Sequence, residues 1–153
     1  MKRVAVNLAK FRALPWPEQR TLLAAMAWLP LFGLALRILG LRRLQAWLQR
    51  GSPGVDIERS FDEIVRIATL VNTAGLRLPL PPTCLTRSLL LGWLLRRRGV
   101  ASQLRIGVRL AEGAVEAHAW VECAGVPIND RPDVGERFAP FAEILPAGAF
   151  HSP

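Results

Sequence analysis

The leucine-rich run at 84–98 constrains this chain most, because it is fenced at both ends. Pro81 and Pro82 hold the backbone extended just before it, and Thr83 offers the side chain of a good helix N-cap. Arg96, Arg97 and Arg98 crowd the last turn and Gly99 follows as a stop. The pattern predicts a helix over 84–98 with Cys84 in its first turn. There the unpaired backbone N–H groups and the positive end of the helix dipole stabilise an anion, the form in which sulfur is a nucleophile.

Beyond Gly99 the period changes from helical to two. Leu104, Ile106, Val108 and Leu110 face one way, and Gln103, Arg105, Gly107 and Arg109 the other. Ala111-Glu112-Gly113 suits a hairpin connection. A second strand over 114–123 then carries Val115, Ala117, Ala119, Val121 and Cys123 on one face and Glu116, His118, Trp120 and Glu122 on the other. Ala124-Gly125 turns the chain again, and Val126-Pro127-Ile128-Asn129-Asp130 returns as a short strand. Antiparallel pairing of these strands brings Asp130 near His118.

A thiol at a helix tip, an imidazole in a strand and a carboxylate at the end of the next strand suit acyl chemistry. Cys84 is then the nucleophile, His118 the general base and Asp130 the group that fixes the imidazole tautomer. Each residue alone has a plainer reading: a small buried cysteine, a satisfied strand histidine, a turn aspartate before Arg131-Pro132. Their order and their placement on these elements favour the catalytic reading. The Cys84 backbone N–H can serve an oxyanion, no second donor is assigned, and Trp120 is a candidate shield for the site. Cys84, His118, Cys123 and Asp130 lack the paired short spacing of a metal site, so neither metal nor cofactor is expected.

With those residues in view, the chain resembles the transglutaminase-like leader peptidases of lasso-peptide biosynthesis, in their stand-alone form. The matching stretches are Pro-Thr-Cys-Leu-Thr-Arg-Ser-Leu at 82–89, Arg-Arg-Gly-Val at 97–100, Leu-Arg-Ile-Gly-Val at 104–108, Ala-His-Ala-Trp-Val-Glu at 117–122 and the aspartate after Pro127-Ile128-Asn129. They cover most of 56–145. The resemblance implies an α+β, papain/transglutaminase-like core, with a nucleophile helix packed on a small antiparallel sheet behind an N-terminal helical region. It implies cleavage of the leader segment from a ribosomally made precursor peptide. A small leader-recognition protein would present that peptide, and an ATP-dependent cyclase would close the macrolactam afterwards. By position it gives Cys84, His118 and Asp130 the nucleophile, base and orienting roles. The same triad serves acyl transfer to other acceptors, as in transglutaminases or arylamine acetyltransferases. A non-catalytic partner-binding module is the alternative outside enzymology.

Composition bounds the rest. A chain of 153 residues supports one domain with a modest core. It is 51% hydrophobic with mean hydropathy +0.24, which is apolar for a small domain. The net charge of +8 is confined to one end: residues 1–55 hold nine Lys/Arg and one Glu, whereas 56–153 hold eleven Arg and eleven Asp/Glu. The expected organisation is a basic helical region over 1–50, a linker at 51–55 built on Gly51-Ser52-Pro53-Gly54, and a peptidase domain over 56–153. Pro17 suits a first helical turn, and Pro30 is expected to divide the front region into helices over 18–29 and 31–49. The fifteen-residue apolar run Leu22 to Leu36 falls short of the roughly 20 residues a membrane span needs.

Arg37, Arg42, Arg43 and Arg50 make the second helix basic and amphipathic. It is read first as a lid packed on the core. The other readings are a dock for an acidic partner and a peripheral membrane contact through residues 18–50. Nucleic acid is not an expected partner. Asp56 is expected to cap a helix ending near Asn72, with Ala74-Gly75 as its stop. Phe138 to Leu145 is expected to form a last short element, and the tail with His151 is given no role. Two cysteines and no signal peptide point to the cytoplasm, including the inner face of its membrane.

Overall fold

The computed structural model describes residues 11–50 and 59–141. The expected linker at 51–55, the Asp56 cap, the second half of the expected element at Phe138–Leu145 and the tail with His151 lie outside them. Three helices lead: α1 (Trp16–Gln49), α2 (Phe61–Arg77) and α3 (Cys84–Arg96). Strands β1 (Gln103–Ala111), β2 (Ala114–Cys123) and β3 (Val126–Pro127) follow, then a single turn α4 (Val134–Arg137) and β4 (Ala139–Pro140). The sheet is antiparallel in the order β3-β2-β1-β4. This is the expected α+β arrangement, a helix with Cys84 at its tip against a small antiparallel sheet, preceded by a helical region.

The turn residues explain the sheet. Ala111 pairs with Ala114, leaving a two-residue loop of Glu112 (φ 51°) and Gly113 (φ 82°). Two successive positive φ values match the twist of a tight hairpin. Ala124 (φ 49°) and Gly125 (φ 78°) repeat the device between β2 and β3. At the far end of α3, Gly99 (φ 76°) lets the Val100 N–H return 3.0 Å to the Leu95 carbonyl and close the helix.

One core joins the helices and one face of the sheet. Leu22, Ala25, Leu29, Phe32 and Leu44 of α1 meet Ile67, Ala68 and Val71 of α2, Leu90, Leu91 and Leu95 of α3, and Val121 and Cys123 of β2. The inner side of α1 therefore covers the core, as the lid reading expects. The opposite sheet face is covered too. Trp120, placed there by its parity, is fully buried with Val134 and Phe138 in a second, small cluster.

Several boundaries differ from expectation. Pro30 does not divide the front region. It sits exposed within α1 while its neighbours Leu29 and Phe32 are buried, and that packing holds the turn. The break comes ten residues later at Gly40 (φ 74°, ψ 167°), a conformation open to glycine. α2 begins at Phe61 on a Ser60 cap, whose side chain accepts from the Glu63 N–H. It runs through Ala74-Gly75 to Arg77 because Gly75 is a contact, not a stop. A Cβ there would sit 2.9 Å from Arg87 Cδ and 3.2 Å from Pro82 Cγ. α3 stops at Arg96, with Arg97 and Arg98 in the turn after it. β3 is two residues long, so Asp130 lies in the bend beyond the strand and does not end it.

Candidate active site

Cys84 is the first residue of α3, half-buried and unpaired as a thiol. Thr83 caps the helix as expected: its hydroxyl accepts from the Thr86 N–H at 3.2 Å and lies 2.9 Å from the Thr86 hydroxyl. Gly75 of α2 receives Pro82 closely, which fixes the approach to this helix tip.

The imidazole and the carboxylate meet. His118 Nε2 lies 2.5 Å from Asp130 Oδ2, and the Arg131 N–H donates to Asp130 Oδ1 at 2.8 Å. A carboxylate accepts, so the Nε2–H donates to it and Nδ1 becomes the ring nitrogen able to take a proton. The ring is held from the side as well. The Phe138 centroid is 4.9 Å away, and Trp120 stacks at 6.3 Å with an interplanar angle of 21°. The Trp120 N–H is spent on Glu122 Oε1 at 2.8 Å, so this indole packs behind the histidine.

No hydrogen bond among the described residues joins the Cys84 thiol to His118. What relates the helix tip to the pair is a part-buried polar junction around the buried Ser88, which the sequence did not announce. Ser88, four residues after Cys84 and so on the same helical face, donates to the Ala119 carbonyl at 3.0 Å. Asn129 Nδ2 donates to Ser88 Oγ at 3.0 Å, and Asn129 Oδ1 accepts from the Val121 N–H at 2.8 Å. Asn72 of α2 donates to the Asn129 carbonyl at 2.9 Å. The junction thus grips the residue after His118 and the residue before Asp130. Cys84 lies one helical turn, about 6 Å of rise, from Ser88. The available signal was the four-residue spacing of Cys84 and Ser88 and the polar pair Asn129-Asp130 after an apolar strand.

A cavity of about 660 Å³ opens along the C-terminal half of α3, with Trp93, Ser102 and Glu122 in its wall. Ser88 reaches it, but Cys84, His118 and Asp130 do not line it. Its position at the far end of the helix separates it from the chemistry argued here. Among the described residues no group of three or more His, Cys, Asp or Glu is placed to hold a metal ion.

A cysteine at a helix tip and, separately, a strand histidine bonded to a carboxylate in the bend after the next strand are the elements of a papain-like or transglutaminase-like class of site. The comparison of sequences agrees. Residues 26–143 match the family model of the transglutaminase-like superfamily, and the chain belongs to that superfamily. Among curated proteins it is similar to the microcin J25-processing protein McjB of Escherichia coli, at 39% identity over 61 residues. That match covers 40% of this chain and 28% of the relative, so the chain spans a minor part of the protein it matches. No solved structure matches the chain.

Proposed function

We propose that this chain is a cysteine peptidase that removes the leader segment of a ribosomally synthesised lasso precursor peptide before macrolactam closure. The observation that carries the reading is the 2.5 Å bond from His118 Nε2 to Asp130 Oδ2, which leaves Nδ1 as the base on an element tied to the Cys84 helix. Membership of the transglutaminase-like superfamily supports the acyl chemistry, and the processing role in the relative's name supports the pathway.

In this reading His118 Nδ1 takes the Cys84 proton and the thiolate attacks the carbonyl of the last leader residue. The backbone N–H of Cys84 faces the developing oxyanion at the helix tip. His118 then protonates the departing amine, and water attacks the thioester with His118 again as base. Asp130 keeps the ring oriented and offsets the imidazolium charge. The precursor peptide is the substrate, a small leader-recognition protein presents it, and the ATP-dependent cyclase consumes the new N-terminus. The outer side of α1 rests against the anionic inner face of the membrane.

The test is cleavage of purified precursor peptide, alone and with the recognition protein, read by mass spectrometry. Wild-type chain should give free leader and core, and Cys84→Ala should give neither while still binding the same partners. Cleavage by the Cys84→Ala chain would overturn the assignment. Adding small amines separates hydrolysis from acyl transfer: an amide-capped leader in place of the free acid would make the chain an acyltransferase.

A further inference from the structure

A second cleft, of about 610 Å³, lies where the start of α1, the start of α2 and the end of α3 meet. Leu94 and Arg98 in its wall are ten and fourteen residues along the chain from Cys84. At 1.5 Å per helical residue that is about 15–20 Å from the thiol. The peptidase reading makes no use of this cleft.

Among the described residues its charges do not balance. Arg20, Arg59, Arg66 and Arg98 line it with two carboxylates, Glu18 and Glu63. Arg66 is matched, with Nη2 2.7 Å from Glu18 Oε2. Arg59 lies only at the 4.0 Å limit from Glu63. Arg20 is exposed and has no ion pair among the described residues, and Arg98 donates only to the neutral Thr21 hydroxyl at 3.0 Å. Two further N–H groups, Arg98 Nη1 and Arg59 Nε, are buried without a hydrogen-bond partner among the described residues. Donors of that kind cost free energy unless something accepts from them. Burial first, and then Arg59's charge, push the Arg98 guanidinium below its ordinary value.

We infer that this cleft is a binding site for an organic carboxylate, held between Arg98 and Arg59 with Arg20 at the rim. The planar forks of two guanidiniums suit the two oxygens of one carboxylate. Glu18 and Glu63 in the same wall favour a monoanion over a phosphate dianion, because each added negative charge on the ligand meets theirs. Ile67, Leu70 and Leu94 give the wall apolar surface for the carbon stem that a carboxylate carries and an inorganic anion lacks. An acidic peptide side chain and a free small acid share this chemistry.

The experiment is calorimetric titration of the full chain with three probes: N-acetylglutamate amide, an acetylated Leu-Glu-Leu amide peptide, and inorganic phosphate. Saturable binding of the carboxylates, weakened by added salt, is expected. Arg98→Gln should weaken it on the order of tenfold to a hundredfold, as the loss of a charged hydrogen bond implies. Arg20→Gln, at the exposed rim, should weaken it several-fold with circular dichroism unchanged, which keeps the test valid if Arg98→Gln misfolds. Tighter binding of the peptide than of the single residue assigns the site to a peptide segment, and equal binding assigns it to a small acid. No saturable carboxylate binding, binding indifferent to both substitutions, or phosphate binding as tight as the carboxylates would overturn the inference. None of these readouts depends on peptidase activity.

Discussion

At the scale of single residues, the two cysteines sit in opposite surroundings. Cys84 is half-buried at a helix tip, whereas Cys123 is 5% exposed within the core, and burial pushes its thiol above the ordinary 9.0. Iodoacetamide at neutral pH should therefore label Cys84 and spare Cys123 in the folded chain, as peptide mass spectrometry would show. The sign for stability follows. The unfolded Cys123 thiol ionises first as pH rises, so its burial stabilises the fold below about pH 9 and that contribution is lost above it. Asp130→Asn keeps the shape but removes the charge that orients His118. It should lower kcat on the order of 10²–10⁴-fold with little change in denaturation midpoint. The place of Cys84 at a helix tip and the meeting of His118 with Asp130 were legible in the sequence, because the helix start and the strand alternation are both clearly marked. Ser88, Asn129 and Asn72 were not, since a polar side chain inside an apolar pattern reveals its partners only when the elements are packed.

At the scale of elements, the hairpin was the most legible part, because Glu112-Gly113 and Ala124-Gly125 carry the positive φ that tight turns require. Helix ends were less legible. Gly75 looks like a stop in the sequence, yet it is the place where Arg87 and Pro82 cross α2. The Gly40 break was hidden by the better-known effect of Pro30, since proline is tolerated where its turn is anchored by packing on both sides. Gly107 of β1 pairs with His118 and faces a crowded corner. A Cβ there would lie 3.0 Å from the Ala139 carbonyl, Phe138 Cβ and Trp120 Cη2. Gly107→Ala should destabilise the chain by about 1–3 kcal/mol, the usual cost of overpacking, in a urea titration. It should also lower activity in the proposed reaction, since Phe138 and Trp120 are what pack on the histidine ring.

At the scale of the whole molecule, exposed apolar residues and three arginines share the outside of α1. The helix is 34 residues long, and by length and composition it is apolar enough to cross a membrane. Its inner side is committed to the core, while Leu23, Leu31, Leu34 and Ile38 form an outward stripe with Arg37, Arg42 and Arg43 exposed along the same helix. The peripheral contact proposed for this side predicts flotation with vesicles containing anionic lipid, reduced by salt and by Arg42→Gln with Arg43→Gln. Flotation indifferent to lipid charge and ionic strength would count against that contact. The excess of charge was plain from the sequence. Which side of α1 faces the core was not, because hydrophobic residues encircle most of the helix and only packing against α2 and α3 chooses between them.

The amide of Asn129 has one consequence that reaches past stability. A single side chain touches the nucleophile's helix through Ser88 and the base's strand through Val121, and its own peptide carries the acid. Losing it in Asn129→Ala should cost about 1–3 kcal/mol in urea denaturation. The larger effect is mechanical: under the proposed function the three groups of the triad share one hinge pin, so their alignment has one tolerance instead of three.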